Sequence, residues 1–130
     1  MAHDHDHHED LIDSLTNEYQ ALLDNSKQGI YIYLDDANKV CNKLFATFLG
    51  YSSEKEWASV TTSFPEAFVD DASQSTLVSA YQDAMEHGIG SANEITWRKK
   101  DGKNVRSNVI LVPIMYDGHL FALHFVTKSR

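Results

Sequence analysis

Histidine and carboxylate crowd the start of this 130-residue chain, where His3, His5, His7 and His8 stand among Asp4, Asp6, Glu9 and Asp10. Imidazole and carboxylate together are ligands for Zn²⁺, Ni²⁺ or Cu²⁺. Nothing in so short a polar run pre-organises them, so residues 1–10 read as a polar tail or purification tag before they read as a metal centre. Cys41 is the only cysteine, which excludes an intramolecular disulfide. Following Val40 in an apolar stretch, it reads as a small buried strand residue and not as a nucleophile. His87 precedes Gly88 at the end of a helical run, where a cation favours the helix dipole. His124, between Leu123 and Phe125, reads as a hydrogen-bonded sheet residue. The adjacent carboxylates Asp35-Asp36 and Asp70-Asp71 point in different directions in a turn or at a helix start, and so solvate or cap. There is no Gly-rich phosphate loop, no His-x-x-x-His pair beyond the tail and no Gly-x-Ser-x-Gly elbow. The expectation is a protein that is not an enzyme.

Composition bounds what can position such residues. With 42% hydrophobic and 11% aromatic residues, the chain can build one domain with a core. The formal charge of -8, from 19 acidic against 11 basic residues, disfavours nucleic acid as a partner. No apolar run approaches the roughly 18–20 residues that span a bilayer, so no membrane partner and a cytoplasmic location are expected.

The elements follow from local pattern. Lys100-Asp101-Gly102-Lys103 and Tyr116-Asp117-Gly118-His119 separate three apolar runs, Glu94–Lys99, Asn104–Ile114 and Leu120–Val126. Asp-Gly between strands is a strong hairpin signal, because glycine accepts the positive φ that the turn requires. A three-stranded antiparallel meander is predicted. Its middle strand is apolar on both parities, so both faces should be at least partly covered. Upstream, Ile30–Leu34 alternates aliphatic and aromatic residues, and Lys39–Cys41 is a short strand. Asn42 caps a helix that Gly50 stops, Ser53 and Glu56 form a capping box before Trp57, and Asp70 or Asp71 opens the longest helix, to His87. Leu11, Ile12, Leu15, Tyr19 and Leu22 form an apolar helical stripe, predicting an amphipathic helix over residues 11–24.

Taken together, Ile30–Leu34, the Asn42-Lys43-Leu44-Phe45 segment running to Gly50-Tyr51-Ser52, the helix ending His87-Gly88, the Lys100-Asp101-Gly102 hairpin and Val112-Pro113-Ile114 before Asp117-Gly118 resemble a PAS domain with its PAC motif over residues from about 25 to 127, in an expected domain of residues 25–130. The resemblance implies an α+β fold, a five-stranded antiparallel sheet with helices on one face, used to sense ligands, light or redox state and in protein–protein signalling. The flavin-type Gly-x-Asn-Cys-Arg run is missing, and no histidine lies inside the long helix, so the resemblance does not extend to haem or flavin. The remaining length holds no kinase, cyclase or DNA-binding segment.

Two expectations about sites follow. A small apolar or aromatic ligand would sit between sheet and helices, where Phe45, Trp57, Phe68, Tyr81, Trp97 and Leu123 converge, with Tyr81 and Trp97 as oriented donors. In the alternative these rings fill the core, and the domain is a ligand-free dimerisation or signalling-partner module. The stripe of Leu11, Ile12, Leu15, Tyr19 and Leu22 lies across the outer sheet face, and the resemblance favours its pairing with a second copy in a homodimer.

Overall fold

The computed structural model describes residues 3–129, and side chains from His8 onward. Two helices, α1 (His3–Glu18) and α2 (Gln20–Asn25), lead into strands β1 (Gly29–Tyr33) and β2 (Lys39–Cys41). Four helices follow: α3 (Lys43–Phe48), α4 (Glu54–Ala58), α5 (Phe64–Phe68) and α6 (Asp71–His87). The meander β3 (Ser91–Arg98), β4 (Asn104–Tyr116) and β5 (His119–Lys128) completes a five-stranded antiparallel sheet in the order β2-β1-β5-β4-β3. The expected α+β architecture is the observed one. Among the described residues, no helix is long and apolar enough to cross a membrane.

Local chemistry sets the boundaries. At the β4–β5 turn, Asp117 and Gly118 have φ of +49° and +78°, the pair of positive values that a two-residue hairpin matched to strand twist demands. Asn42 Oδ1 accepts from Phe45 N–H at the first turn of α3 and from Ile30 N–H in β1, both at 3.0 Å, so one side chain starts a helix and fixes it to the sheet. Ser53 Oγ accepts from Glu56 N–H while Glu56 Oε1 accepts from Ser52 N–H, a reciprocal cap shifted by one residue from the expected box. Gly88, at φ +66°, ends α6.

The N-terminal helix departs from expectation in two ways. It begins at His3, inside the stretch read as a tail, because the apolar stripe marks only the part of a helix that is buried. It also breaks at Tyr19, which leaves helical geometry with φ -102° and ψ 15°. The Tyr19 ring packs 6.0 Å from that of Phe121 and 6.4 Å from that of Tyr116, anchoring the corner on the sheet.

Strand alternation divides the core into two layers. On the inner face, Tyr31 and His124 oppose each other across β1 and β5, with Leu111 beyond on β4. On the outer face, Ile30, Ile32, Phe121 and Leu123 are buried beneath Leu11, Ile12, Leu15 and Leu23, with Tyr19 and Leu22 half-buried beside them. The stripe packs across the outer sheet face as expected, with Leu11, Ile12 and Leu15 buried there. Cover of the middle strand is incomplete, since α1 and α2 lie over the β1–β5 side and leave Ile110 of β4 47% exposed.

Candidate ligand cavity

Tyr31 is the centre of the inner layer, and the packing differs on its two sides. Towards α3 and α4 it stacks on Phe45 at 4.8 Å and meets Trp57 at 6.1 Å. Phe45 in turn lies edge-on to Trp57 at 5.5 Å and to Trp97 at 5.3 Å, and Trp57 packs on Phe68 at 5.4 Å. All four of these expected site residues are fully buried against one another. Trp97 Nε1 donates to Ser107 Oγ at 2.6 Å, so the indole expected to orient a ligand is already satisfied within the protein. Leu123 belongs to the outer layer and does not reach this region, because His124, one position along the strand, takes the inward place.

Towards α5 and α6 the layer opens into a cavity of about 180 Å³. Rings from Tyr31, Tyr33, Phe64, Tyr81 and His124 wall it. Pro65, Leu77 and Val78 complete it, with Val78 36% exposed at its rim. Of the six residues expected to contact a ligand, only Tyr81 is here. The missed signals were the Tyr31-x-Tyr33 alternation, which sends both phenols to one face of β1, and His124, whose parity on β5 places it beside them.

The wall is polar at few points and carries no formal charge. Tyr33 Oη donates to Asp36 Oδ1 at 2.9 Å, and that oxygen also accepts from Phe64 N–H at 3.0 Å, pinning the start of α5 to the β1–β2 turn. Burial raises the pKa of the Tyr31, Tyr33 and Tyr81 phenols, so each stays protonated. His124 stacks on Tyr31 with ring centroids 3.9 Å apart and planes 9° from parallel. Burial pushes its pKa down to about 3 against a smaller opposing influence of the Tyr31 and Ala122 main chain, so the imidazole is neutral. His124 is the sheet histidine expected from sequence, hydrogen-bonded to the Tyr31 and Ala122 main chain, but its Nδ1 has no partner, nor has Tyr31 Oη. A buried polar atom without a partner costs about 1–3 kcal/mol, and Trp57 Nε1, on the closed side, is a third among the described residues.

The neighbouring turn ties the cavity to the N-terminal helix. Asp35, next to Asp36, places Oδ2 2.7 Å from His8 Nδ1 of α1. Burial acts to raise the Asp35 pKa, but hydrogen bonds from His8, from the Asn38 side chain and from the Ala37 and Asn38 main chain together hold it below the usual carboxylate value. Below the turn, Lys39 is buried, with Nζ donating to the carbonyls of Asp36 and Val60 at 2.6 Å and of Ala58 at 3.2 Å, and lying 5.2 Å from the Trp57 ring centre. One ammonium thereby closes the carbonyl ends of two loops.

Cys41 is buried and burial raises its thiol pKa, which disfavours the thiolate. His87 stands in the exposed last turn of α6. The side chains of His3, His5 and His7 lie outside the described residues, so the tail's metal-ligand reading rests on sequence alone. Among the described residues, no three His, Cys, Asp or Glu groups are placed to hold a metal.

No protein-family model matches the chain, and no curated protein matches it. Solved structures do. The PAS domain of a Colwellia psychrerythraea protein superposes with a TM-score of 0.67 at 19% identity, covering 88% of this chain and 97% of that one. The PAS domain of an HTR-like protein from Haloarcula marismortui gives 0.62 at 23% identity, with 93% and 97% covered. Vibrio cholerae VqmA, a dimer whose structure was determined in the absence of its target DNA, gives 0.66 at 12% identity over 88% of this chain and 52% of that chain.

Proposed function

We propose that this chain, which has the PAS fold, is a cytoplasmic sensory or signalling module that takes a small apolar or aromatic ligand in the Tyr31–His124 cavity and transmits its occupancy to the N-terminal helix. The carrying observation is the Asp35-Asp36 turn. Asp36 holds two parts of the cavity wall, Tyr33 Oη and the Phe64 N–H, while Asp35 holds His8 of α1. A ligand that shifts the Tyr33 phenol with its bond to Asp36 intact therefore moves a turn on which α1 rests, and a conformational equilibrium shifts by the differential affinity for its two positions. Hydrogen exchange tests the link without a ligand. Tyr33→Phe deletes one bond to Asp36, and exchange of the amides between Leu11 and Glu18 is expected to quicken about fivefold, the value of one ordinary hydrogen bond. Tyr81→Phe, which alters a second wall hydroxyl not hydrogen-bonded to the turn, should leave them unchanged. Equal protection in Tyr33→Phe and wild type refutes transmission by this route.

The close packing of Phe45, Trp57, Phe68 and Trp97 favours a second reading, a dimerisation or partner-binding module that works through its surface. The outer face offers Ile110, exposed beside the half-buried Val112 and Phe125. On this reading a homodimer forms beside α1, with Ile110 in the contact. Sedimentation of the wild type as a dimer and of Ile110→Asp as a monomer supports it; a wild type that stays monomeric at high micromolar concentration removes it.

A further inference from the structure

We infer that the cavity between Tyr33, Tyr81 and His124 is built for an uncharged, flat ligand of one or two aromatic rings that carries one hydrogen-bonding group at its edge. The inference rests on the reading of this cavity as a ligand site and names the chemistry that would fill it.

Size sets the first limit. The cavity holds about 180 Å³, and an engineered apolar protein cavity of about 150 Å³ admits benzene. One ring fits with room to spare and a fused pair fills the space, whereas a nucleotide or a larger cofactor is too large to be enclosed.

Charge sets the second. No Lys, Arg, Asp or Glu lines the wall, and burial keeps its phenols protonated and its imidazole neutral. Asp36 stands behind Tyr33 and already accepts from two donors. A carboxylate or phosphate entering here gives up its hydration and meets no counter-charge, and an ammonium finds Asp36 only behind Tyr33 with its oxygen already accepting two bonds, which the low dielectric makes costly.

Ring geometry sets the third. Tyr33 lies edge-to-face with Phe64, 5.2 Å away at 76°, and with Tyr81, 5.4 Å away at 88°. Such a wall presents electron-rich faces and electropositive edges in alternation, so a flat aromatic ligand continues the pattern where a saturated ring of equal volume gains dispersion alone. The polar handle follows from the hydroxyls. Tyr33 has committed its proton to Asp36 and keeps lone pairs to accept with. Tyr81 makes no hydrogen bond among the described residues, so its hydroxyl can give or take one.

Calorimetric titration of the full chain with three compounds tests this: indole (flat and neutral), indole-3-carboxylate (flat and charged) and cyclohexanol (neutral and saturated). Indole is expected to bind, with each of the other two at least about tenfold weaker. Tyr81→Phe should weaken indole about threefold to tenfold, and Val78→Trp, which puts a ring at the half-open rim, should abolish its binding while the variant's circular dichroism stays that of the wild type. Indole-3-carboxylate or cyclohexanol binding as tightly as indole, with Val78→Trp blocking it, leaves a ligand site and overturns the ligand class. Failure of all three to bind, or indole binding that Val78→Trp does not touch, overturns both.

Discussion

On one side of Tyr31 the inner layer is closed, and on the other it is open, though both sides are built mainly from aromatic rings. The closed side has two indoles: Trp57 from α4 and Trp97 from β3 meet Phe45 and Phe68 with nothing between them. The open side is backed by α6, which brings Leu77, Val78 and Tyr81. Its other inward residues, Ala80 and Ala84, sit close on Leu111 and Ala122. Aromatic content therefore does not decide whether a region is packed or hollow. What decides is whether the facing element supplies a side chain large enough to fill the gap at the separation its neighbours impose.

The contrast is broken or sharpened first by truncation. Trp57→Ala on the closed side should cost about 3–5 kcal/mol, the usual range for removing a fully buried indole. Val78→Ala on the open side should cost under about 1 kcal/mol, since a side chain at a half-open rim leaves little new void. Urea denaturation of the two variants measures both, and equal losses would mean that the two sides are packed alike.

The next effect is the pH dependence of His124. Its native pKa is about 3, while in the unfolded chain it returns to about 6.5. The unfolded state thus takes up the proton first as pH falls, and stability drops below pH 6.5 by about 1.4 kcal/mol per unit until the native imidazole also titrates near pH 3. About 2 kcal/mol should be gone at pH 5. Asp35, with its depressed carboxyl, adds loss in the same direction at lower pH, as the carboxylate range is crossed. His124→Phe should flatten the slope between pH 6.5 and 5 in denaturation curves, and an unchanged slope would assign the acid sensitivity elsewhere.

Much of the architecture was legible because its signals act over a few residues. Asp117-Gly118 fixes its turn through backbone sterics, Asn42 and Ser53 cap helices through bonds three residues long, and Gly88 ends α6 through its left-handed φ. Those constraints act whatever surrounds them. The Leu11, Ile12 and Leu15 stripe likewise declared a helix with one face to bury. Its short connection to β1 placed that face on the outer side of the sheet, but the stripe does not declare whether a second copy shares the cover, since a neighbouring copy and the chain's own sheet offer the same apolar chemistry.

The cavity lay beyond the sequence for the same reason. Period-two alternation says that Leu123 and His124 face opposite ways, yet it does not say which way is inward; α1 on one face and α3 to α6 on the other settle that. A void is the difference between the volume that converging elements enclose and the volume that their side chains occupy. The second quantity is written in residue types, so the sequence alone determined that Phe45, Trp57, Tyr81 and Trp97 were rings available to a core. The first depends on how α5 and α6 sit over β1 and β5, and only the tertiary structure decided that Trp57 and Trp97 close the layer while Tyr33, Tyr81 and His124 are left around an opening.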